Sequence, residues 1–141
     1  ELGGLRYQPL YRDHFRLYCS ANHALYHEKE GPDLLHQALR SKVVHAGIQT
    51  NSQVGEQLAD MNKSAVSYFY EARLSMILSG VYIGFLPLRL VQDYLHTGQL
   101  KAICQDQKHY DLGVTAITRQ HGKTNRARDL FLELLTTDEN R

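Results

Sequence analysis

The sequence has few cysteines, no long apolar run and no excess of charge of either sign. Two cysteines in 141 residues exclude the disulfide-rich scaffolds of small secreted domains. The lack of a run of about 20 apolar residues argues against a transmembrane helix. The formal net charge is +1, from 16 basic and 15 acidic residues, so neither nucleic acid nor an anionic membrane is indicated as a partner.

Targeting signals and enzyme motifs are also missing. Residues 1–4 have neither a basic nor an apolar segment, so we expect no signal peptide and a cytoplasmic location. The chain does not begin with methionine, and we expect it to be a piece of a longer protein. No serine-hydrolase elbow, zinc-protease motif or P-loop occurs, so we predict that the chain is not an enzyme and has no catalytic residues.

The histidines and cysteines do not form a metal site in this interpretation. His23 and His27 are four residues apart, but they fall in a predicted loop, and a zinc site needs three or four ligands at defined geometry. Cys19 and Cys104 each lie in a predicted strand, which favours buried reduced thiols over a disulfide. We therefore predict no metal and no cofactor.

Residues 64–98 are the stretch around which the chain is organised. Their first part has apolar residues at three- and four-residue spacing, which predicts an amphipathic helix: Val66, Phe69, Tyr70, Leu74, Ile77 and Leu78. Gly80 follows as a left-handed helix end. Residues 81–86 are predicted to form a strand buried on both faces, as in a parallel sheet. Pro87 then begins a helix that ends at Gly98, and a further strand covers residues 99–104.

The remaining segments predict an α/β fold. Strands are predicted at residues 5–10 and 14–19 around a turn at 11–13, and also at 42–47 and 111–118. Helices are predicted after Asp33 as the N-terminal cap, within 53–62, and at 124–135 after a cap at Thr124 or Asn125. The order β-β-α-β-α-β-α-β-β-α predicts a sheet with helices on both faces.

Two segments resemble the effector-binding domain of LysR-type transcriptional regulators. The first is the run from Gly80 to Pro87, followed by a short helix and Gly98-Gln99-Leu100. The second segment fills the family pattern, except that Ala24 stands where the family often has proline: Leu5, Leu10, Asp13, Phe15, Leu17, Tyr18, His23, Ala24 and Leu25.

This resemblance implies a fold and a division of the chain. The fold is the type 2 periplasmic-binding-protein-like fold. Residues 14–110 are then subdomain II, and residues 5–10 and 112–118 are the strands that cross between subdomains. Residues 124–135 are the C-terminal helix of subdomain I. On the same resemblance, we expect the winged helix-turn-helix and the first part of subdomain I to be missing from this chain.

Candidate ligand-binding residues follow the strand at 42–47, because ligands of α/β sheets bind beyond the carboxyl ends of parallel strands. The resemblance implies that this loop lines the inducer cleft through His45, Gly47, Gln49 and Thr50. It also implies floor positions at Gln8, Pro9, Gly80, Tyr82, Thr115 and Ala116. A second candidate is the predicted helix start, where free N–H groups suit an anion: Asn62, Lys63, Ser64 and Ser67.

The function implied by the resemblance is small-molecule sensing in a bacterial transcription factor. A polar or anionic effector, a homo-oligomer (dimer or tetramer), and DNA bound only through the missing N-terminal domain are the expected partners, with no membrane. Two alternatives remain open. One is a lobe of a periplasmic solute-binding protein. The other is a small α/β enzyme that uses His45 or the cysteines.

Overall fold

The computed structural model of the chain describes residues 3–48, 51–120 and 125–137. Its strands are β1 (Leu5–Ser20), β2 (Lys42–His45), β3 (Asn62–Val66), β4 (Gly84–Pro87), β5 (Leu100–Ala102) and β6 (His109–Arg119). Its α-helices are α1 (Pro32–Arg40), α2 (Ser52–Leu58), α3 (Tyr70–Leu78), α4 (Leu88–His96) and α5 (Arg126–Thr137), and Ala24–His27 form a 3₁₀ turn. The mixed α/β composition agrees with the predicted fold class.

The internal contacts divide the chain into two units. Unit 1 contains residues 1–13 and 112–141, and unit 2 contains residues 14–111. Unit 2 holds β2 to β5, α1 to α4 and the candidate loop after β2. Unit 1 holds the first part of β1, most of β6 and α5.

The first strand is longer than the sequence predicts. A turn was expected at residues 11–13, but β1 continues through them, and the side chain of Asp13 is buried there. The reason is a partner distant in sequence, because β6 pairs with β1. A polar triplet therefore does not form a turn where a neighbouring strand supplies hydrogen bonds to the backbone.

The predicted strand at residues 81–86 is shorter and pairs differently from the expectation. Val81 is exposed, whereas β4 is buried along its whole length. β4 lies antiparallel to β1, with Leu17 opposite Phe85, and not within a parallel sheet. The predicted parallel pairing is seen only as a single bridge between Val43 and Ile83 among the described residues. Both α3 and α4 contact β4, so the strand lies in the interior of unit 2.

The predicted helix starting at residue 64 is wrong over its first six residues. Asn62–Val66 form β3, which lies parallel to β2 with a register shift between Val43 and Val44. The helix α3 begins only at Tyr70. Val66 and Phe69 matched the helical spacing, yet both are largely exposed, so their spacing does not reflect a buried helix face.

The helix ends agree with the sequence prediction at Gly80 and Asn125 and differ from it at the start of α1. Gly80 has φ of +83° after α3, and a Cβ there would lie 2.8 Å from Cβ of Asn22, so glycine is required on both counts. The cap of α1 is Gly31 and not Asp33, because Pro32 already occupies the first turn. At α5, Asn125 is the cap, and its Oδ1 accepts from the N–H of Arg128 at 3.1 Å.

The core of unit 2 is formed by residues from four strands and two helices. Its buried members come from β1, β2, α3, β4, α4 and β5: Tyr18, Val44, Leu74, Ile77, Leu86, Val91 and Leu100. Burying a leucine or isoleucine side chain contributes about 1.5–3 kcal/mol, so this cluster accounts for much of the unit's stability. In unit 1, by contrast, the predicted apolar face of α5 is largely exposed at Leu130, Phe131 and Leu134.

Both cysteines are buried free thiols. Cys19 lies in β1 as predicted, but Cys104 lies just after β5, with φ of +52°, and not within a strand. Burial raises the pKa of each thiol to about 11, so the protonated thiol predominates at neutral pH.

Candidate ligand-binding site

The carboxyl ends of β2 and β3 lie side by side. His45 is the last residue of β2, and it pairs in register with Val66, the last residue of β3. The N–H of Ser67 then donates to the carbonyl of His45 at 2.8 Å, which holds the segment after β3 against this edge. The carboxyl ends of parallel strands are where ligands bind in α/β sheets, so this edge is the candidate site.

His45 is half-buried at this edge, and its ring orientation is fixed. Its Nδ1 accepts from the N–H of Gly47 at 3.1 Å, so the neutral ring carries its proton on Nε2. Burial lowers the pKa of His45, and the nearby charges of Lys63 and Arg73 lower it further. His45 is therefore a neutral donor at neutral pH, through Nε2.

Arg73 of α3 is a buried cation, with only 4% of its surface exposed. Its Nε and Nη2 donate to the carbonyl of Ser67 at 3.2 and 3.0 Å, and Nη2 also donates to the carbonyl of Tyr68 at 3.3 Å. Its Nη1 donates to the carbonyl of Phe85 at 3.2 Å, and the guanidinium carbon lies 5.4 Å from the ring centre of Tyr70. These bonds connect the segment after β3 to β4.

A small cavity opens between these groups, with a volume of about 30 Å³. Its walls combine apolar side chains with three polar ones: Val44, His45, Ala46, Val54, Leu58, Arg73, Phe85 and Tyr110. A water molecule needs about 10–15 Å³ measured in this way, so the space suits one or two waters or one small chemical group.

Tyr110 closes the cavity on the side of β6. Its ring stacks on Phe15 with 4.7 Å between ring centres, and it tilts against Phe85 at 5.3 Å. The side chain is only 7% exposed, and burial raises its pKa, although the charge of Arg73 opposes this. Tyr110 therefore stays a neutral phenol that can donate a hydrogen bond.

Exposed apolar side chains lie at or just after the carboxyl ends of β2 and β3. Ile48, Val66, Tyr68 and Phe69 are 61–69% exposed. Tyr68 and Phe69 contact each other edge to face, with 5.6 Å between ring centres. Gly47 fits here because a Cβ would approach Cγ1 of Val66 at 2.7 Å. Large apolar groups exposed beside a polar pocket are typical of ligand or partner contacts.

The predicted site residues fall into separate places. His45 lines the cavity and Gly47 adjoins it, whereas Gln49 and Thr50 lie outside the described residues. Tyr82 is half-buried and packs against the core cluster of unit 2, away from the cavity lining. Gln8 and Thr115 belong to unit 1, as do Pro9 and Ala116, and Gly80 follows α3.

The second candidate, an anion site at a helix start, is wrong as predicted. Asn62, Lys63 and Ser64 belong to β3, and Asn62 and Lys63 pair with β2, so these residues do not begin a helix. Ser67 does lie near the site, but through its carbonyl, which accepts two bonds from Arg73.

Sequence reasoning missed Arg73 and Tyr110, and a signal for Arg73 was present. Arg73 lies three residues after Tyr70 and four before Ile77, which places a charge on the inward face of α3. A charged residue on a buried face needs buried partners, so it indicates a site. No comparable pattern identifies Tyr110, because it enters the site from a strand distant in sequence.

Among the described residues, no group of three or more histidine, cysteine, aspartate or glutamate side chains is arranged to hold a metal ion. His23 instead caps the 3₁₀ turn, its Nδ1 accepting from the N–H of Leu25 at 3.1 Å. The described helices are also too short or too polar to cross a membrane.

Comparison with known proteins identifies the family. Residues 1–139 match the LysR substrate binding domain. The chain belongs to this family. This LysR domain is 31% identical over 132 residues to the HTH-type transcriptional activator BauR of Pseudomonas aeruginosa. The match covers 94% of the chain but only 43% of BauR, so the chain spans less than half of that relative.

Solved structures show the same fold. The CrgA regulatory domain of Neisseria meningitidis, a LysR-type regulator, superposes with a TM-score of 0.72 at 21% identity, covering 98% of this chain and 71% of CrgA. Full-length HypT of Salmonella typhimurium, a hypochlorite-specific LysR-type regulator, superposes with a TM-score of 0.69 at 14% identity, covering 96% of this chain and 47% of HypT. The predicted resemblance and the type 2 periplasmic-binding-protein-like fold are confirmed.

Family membership also favours one of the three functional classes considered from the sequence, the regulatory domain of a transcription factor. The chain is a regulatory domain of the LysR type, a family of transcriptional regulators. Neither a periplasmic solute-binding lobe nor a small enzyme is favoured by these likenesses.

Proposed function

We propose that this domain senses a small-molecule effector at the carboxyl ends of β2 and β3, and that the whole regulator controls transcription in response. The observation that carries the proposal is the cavity beside His45, which combines a buried cation, a buried phenol and apolar walls. Ligand pockets have this composition, with mostly apolar walls and a few placed polar groups.

We propose that sensing works through a change in the relative populations of two conformations of the regulator. A ligand changes a conformational equilibrium only by the difference between its affinities for the two states. The segment after β3 is joined to β4 through Arg73, so a ligand at the strand ends touches a group that is fixed to the core. We propose that effector binding in this way selects one conformation of the regulator.

Other residues predicted from the family remain part of the proposal. Gln49 and Thr50, which follow His45 in the sequence, are proposed contacts, and Gln8, Thr115 and Tyr82 are the others. We propose that residues 14–110 form subdomain II, with residues 5–10 and 112–118 as the crossing strands and residues 124–135 as a helix of subdomain I. The likeness to BauR, named as an HTH-type activator, supports DNA binding through a helix-turn-helix segment outside this chain.

The proposed regulator is an oligomer that acts on DNA in the cytoplasm and catalyses no reaction. Family membership supports this set of properties, because LysR-type proteins are transcription regulators. The chain itself is proposed to supply the sensing function and no DNA contact.

The experiment is a thermal-shift screen of the purified protein against a set of small metabolites. A ligand that prefers the native state raises stability by about 2.7 kcal/mol when present at 100 times its Kd. We expect at least one compound to raise the melting temperature, and His45→Gln to reduce that rise.

The matched control is His36→Gln, because His36 lies exposed on α1 away from the cavity. This variant is expected to respond like the unsubstituted protein. Two results would contradict the proposal: a screen in which no metabolite stabilises the protein, or equal responses of the His45 and His36 variants.

A further inference from the structure

The buried charge of Arg73 is compensated only in part. A guanidinium has five N–H donors, and four of them donate to the carbonyls of Ser67, Tyr68 and Phe85. The remaining donor belongs to Nη1, for which the described residues provide no acceptor. Carbonyl oxygens satisfy hydrogen bonds but carry no net charge, and within the described chain no carboxylate lies within ion-pair distance of Arg73. A buried cation without an anion is costly.

The hydroxyl of Tyr110 is a second group at the cavity that lacks a hydrogen-bond partner among the described residues. The side chain is 93% buried, since 7% of its surface is exposed, and it lines the cavity. Its contacts within the described residues are ring contacts with Phe15 and Phe85, and no hydrogen bond to its hydroxyl is formed there. A phenol hydroxyl without a partner can donate to a ligand. Tyr110 is therefore a second donor available at the cavity.

His45 supplies a third donor. Because Nδ1 is occupied by the N–H of Gly47, the ring presents Nε2–H as its free donor. The apolar walls, Val44 and Phe85 among them, offer no acceptor side chain to these three donors. The lining side chains thus bring donors and a positive charge to the pocket, with no carboxylate among them.

We propose that this pocket binds the carboxylate group of the effector, with Arg73, Tyr110 and His45 donating to its two oxygens. The inference rests on the proposed function, because it names the chemistry of the ligand at the same site. A carboxylate offers about four acceptor positions on two oxygens, enough for the three donors that line the cavity. It is also a small, planar group, suited to a cavity of about 30 Å³.

The sharpest test removes the Tyr110 hydroxyl alone. Substituting Arg73 would take donors away from the carbonyls of Ser67 and Phe85 and could unfold the protein, whereas Tyr110→Phe keeps both ring contacts. The matched control is Tyr18→Phe, because the Tyr18 hydroxyl is buried without a partner in the core cluster, outside the cavity. Tyr18→Phe is expected to leave stability unchanged or higher, since it removes a buried unsatisfied polar group, and Tyr110→Phe to leave stability close to unchanged.

Binding is measured with sodium acetate as the probe, in a titration followed by two-dimensional NMR of the purified protein at constant ionic strength. Acetamide serves as the neutral isostere, and sodium chloride as the inorganic anion. We expect saturable shifts around the cavity with acetate and not with acetamide or chloride. Tyr110→Phe should weaken acetate binding about tenfold, while Tyr18→Phe should leave it unchanged, because a hydrogen bond to a charged group is worth about that factor.

Each other outcome overturns the inference. Equal binding of acetamide and acetate would show a pocket that does not select charge, and equal binding of chloride would show a halide site. Equal affinities of the Tyr110 and Tyr18 variants would remove the hydroxyl from the site. In all three cases a metabolite found in the stabilisation screen would still uphold the proposed function, whereas failure of that screen alone would overturn the proposed function.

Discussion

Replacing Gly84 by alanine should destabilise the protein, because β4 approaches β2 too closely for a side chain. A Cβ at this position would lie 2.9 Å from the carbonyl oxygen of Val44, 3.0 Å from Cδ1 of Ile77 and 3.1 Å from Cγ1 of Val44. The first of these atoms is backbone and cannot rotate away. Two hydrogen bonds hold the strands at this separation: the N–H of Val44 to Ile83, and the N–H of Ile83 to Lys42, both at 3.0 Å.

The magnitude follows from overpacking. Adding one carbon to a well-packed core costs about 1–3 kcal/mol, and backbone contact places Gly84→Ala toward the upper part of that range. Gly113→Ala is the matched control, because Gly113 lies in β6 with no atom within 4 Å of its added Cβ and without a positive φ. In that position alanine should stabilise by a few tenths of a kcal/mol up to about 1 kcal/mol.

Urea denaturation of both variants measures the difference. The midpoint for Gly84→Ala should fall and that for Gly113→Ala should hold or rise, with similar m-values. If Gly84→Ala proved as stable as Gly113→Ala, the described close approach of β4 to β2 would be contradicted. The described position of His45 near Phe85, which depends on that approach, would be contradicted as well.

Two further predictions concern titrating groups. The pKa of His45 is lower in the folded state than its usual value of 6.5, so the unfolded state binds more protons and stability should fall as the pH drops below about 6.5. Between pH 8 and pH 5, the urea midpoint should therefore fall less for His45→Gln than for the unsubstituted protein. Parallel pH curves for the two proteins would contradict this prediction. Cys19 and Cys104 have pKa values raised to about 11 by burial, so both thiols should react slowly with a thiol-modifying disulfide reagent at pH 7 and rapidly in denaturant. Rapid modification of the native protein, followed by mass spectrometry, would refute their burial.

The sequence correctly predicted those helices, strands and caps whose formation depends on residues close together in the chain. The helix over Leu88–His96, the strand at Lys42–His45 and the cap at Asn125 are all present. Each depends on periodicity or on turn and cap chemistry within a few residues, which the sequence contains directly.

Errors occurred where a distant partner decides the structure. Residues 64–66 form a strand because β2, some twenty residues earlier, pairs with them, and residues 11–13 stay extended where a turn was expected, because β6 pairs with β1. The antiparallel pairing of β4 likewise depends on β1, about seventy residues away. Local propensity cannot show such pairings, because tertiary context overrides it.

The same distinction between local patterns and distant partners applies to the residues of the candidate site. His45 was predicted because it ends a strand of the kind that borders ligand sites. Arg73 and Tyr110 join it only through folding, since the carbonyls that hold Arg73 come from the segment after β3 and from β4. A buried charge on an otherwise apolar helix face is the pattern that would have identified Arg73 from the sequence.

The most direct test of the account is a crystal structure of the protein with a stabilising metabolite bound. The account predicts a carboxylate whose oxygens lie about 3 Å from Nη1 of Arg73 and from the hydroxyl of Tyr110, within hydrogen-bond range. A ligand bound elsewhere, with the cavity beside His45 left unoccupied by it, would contradict the account.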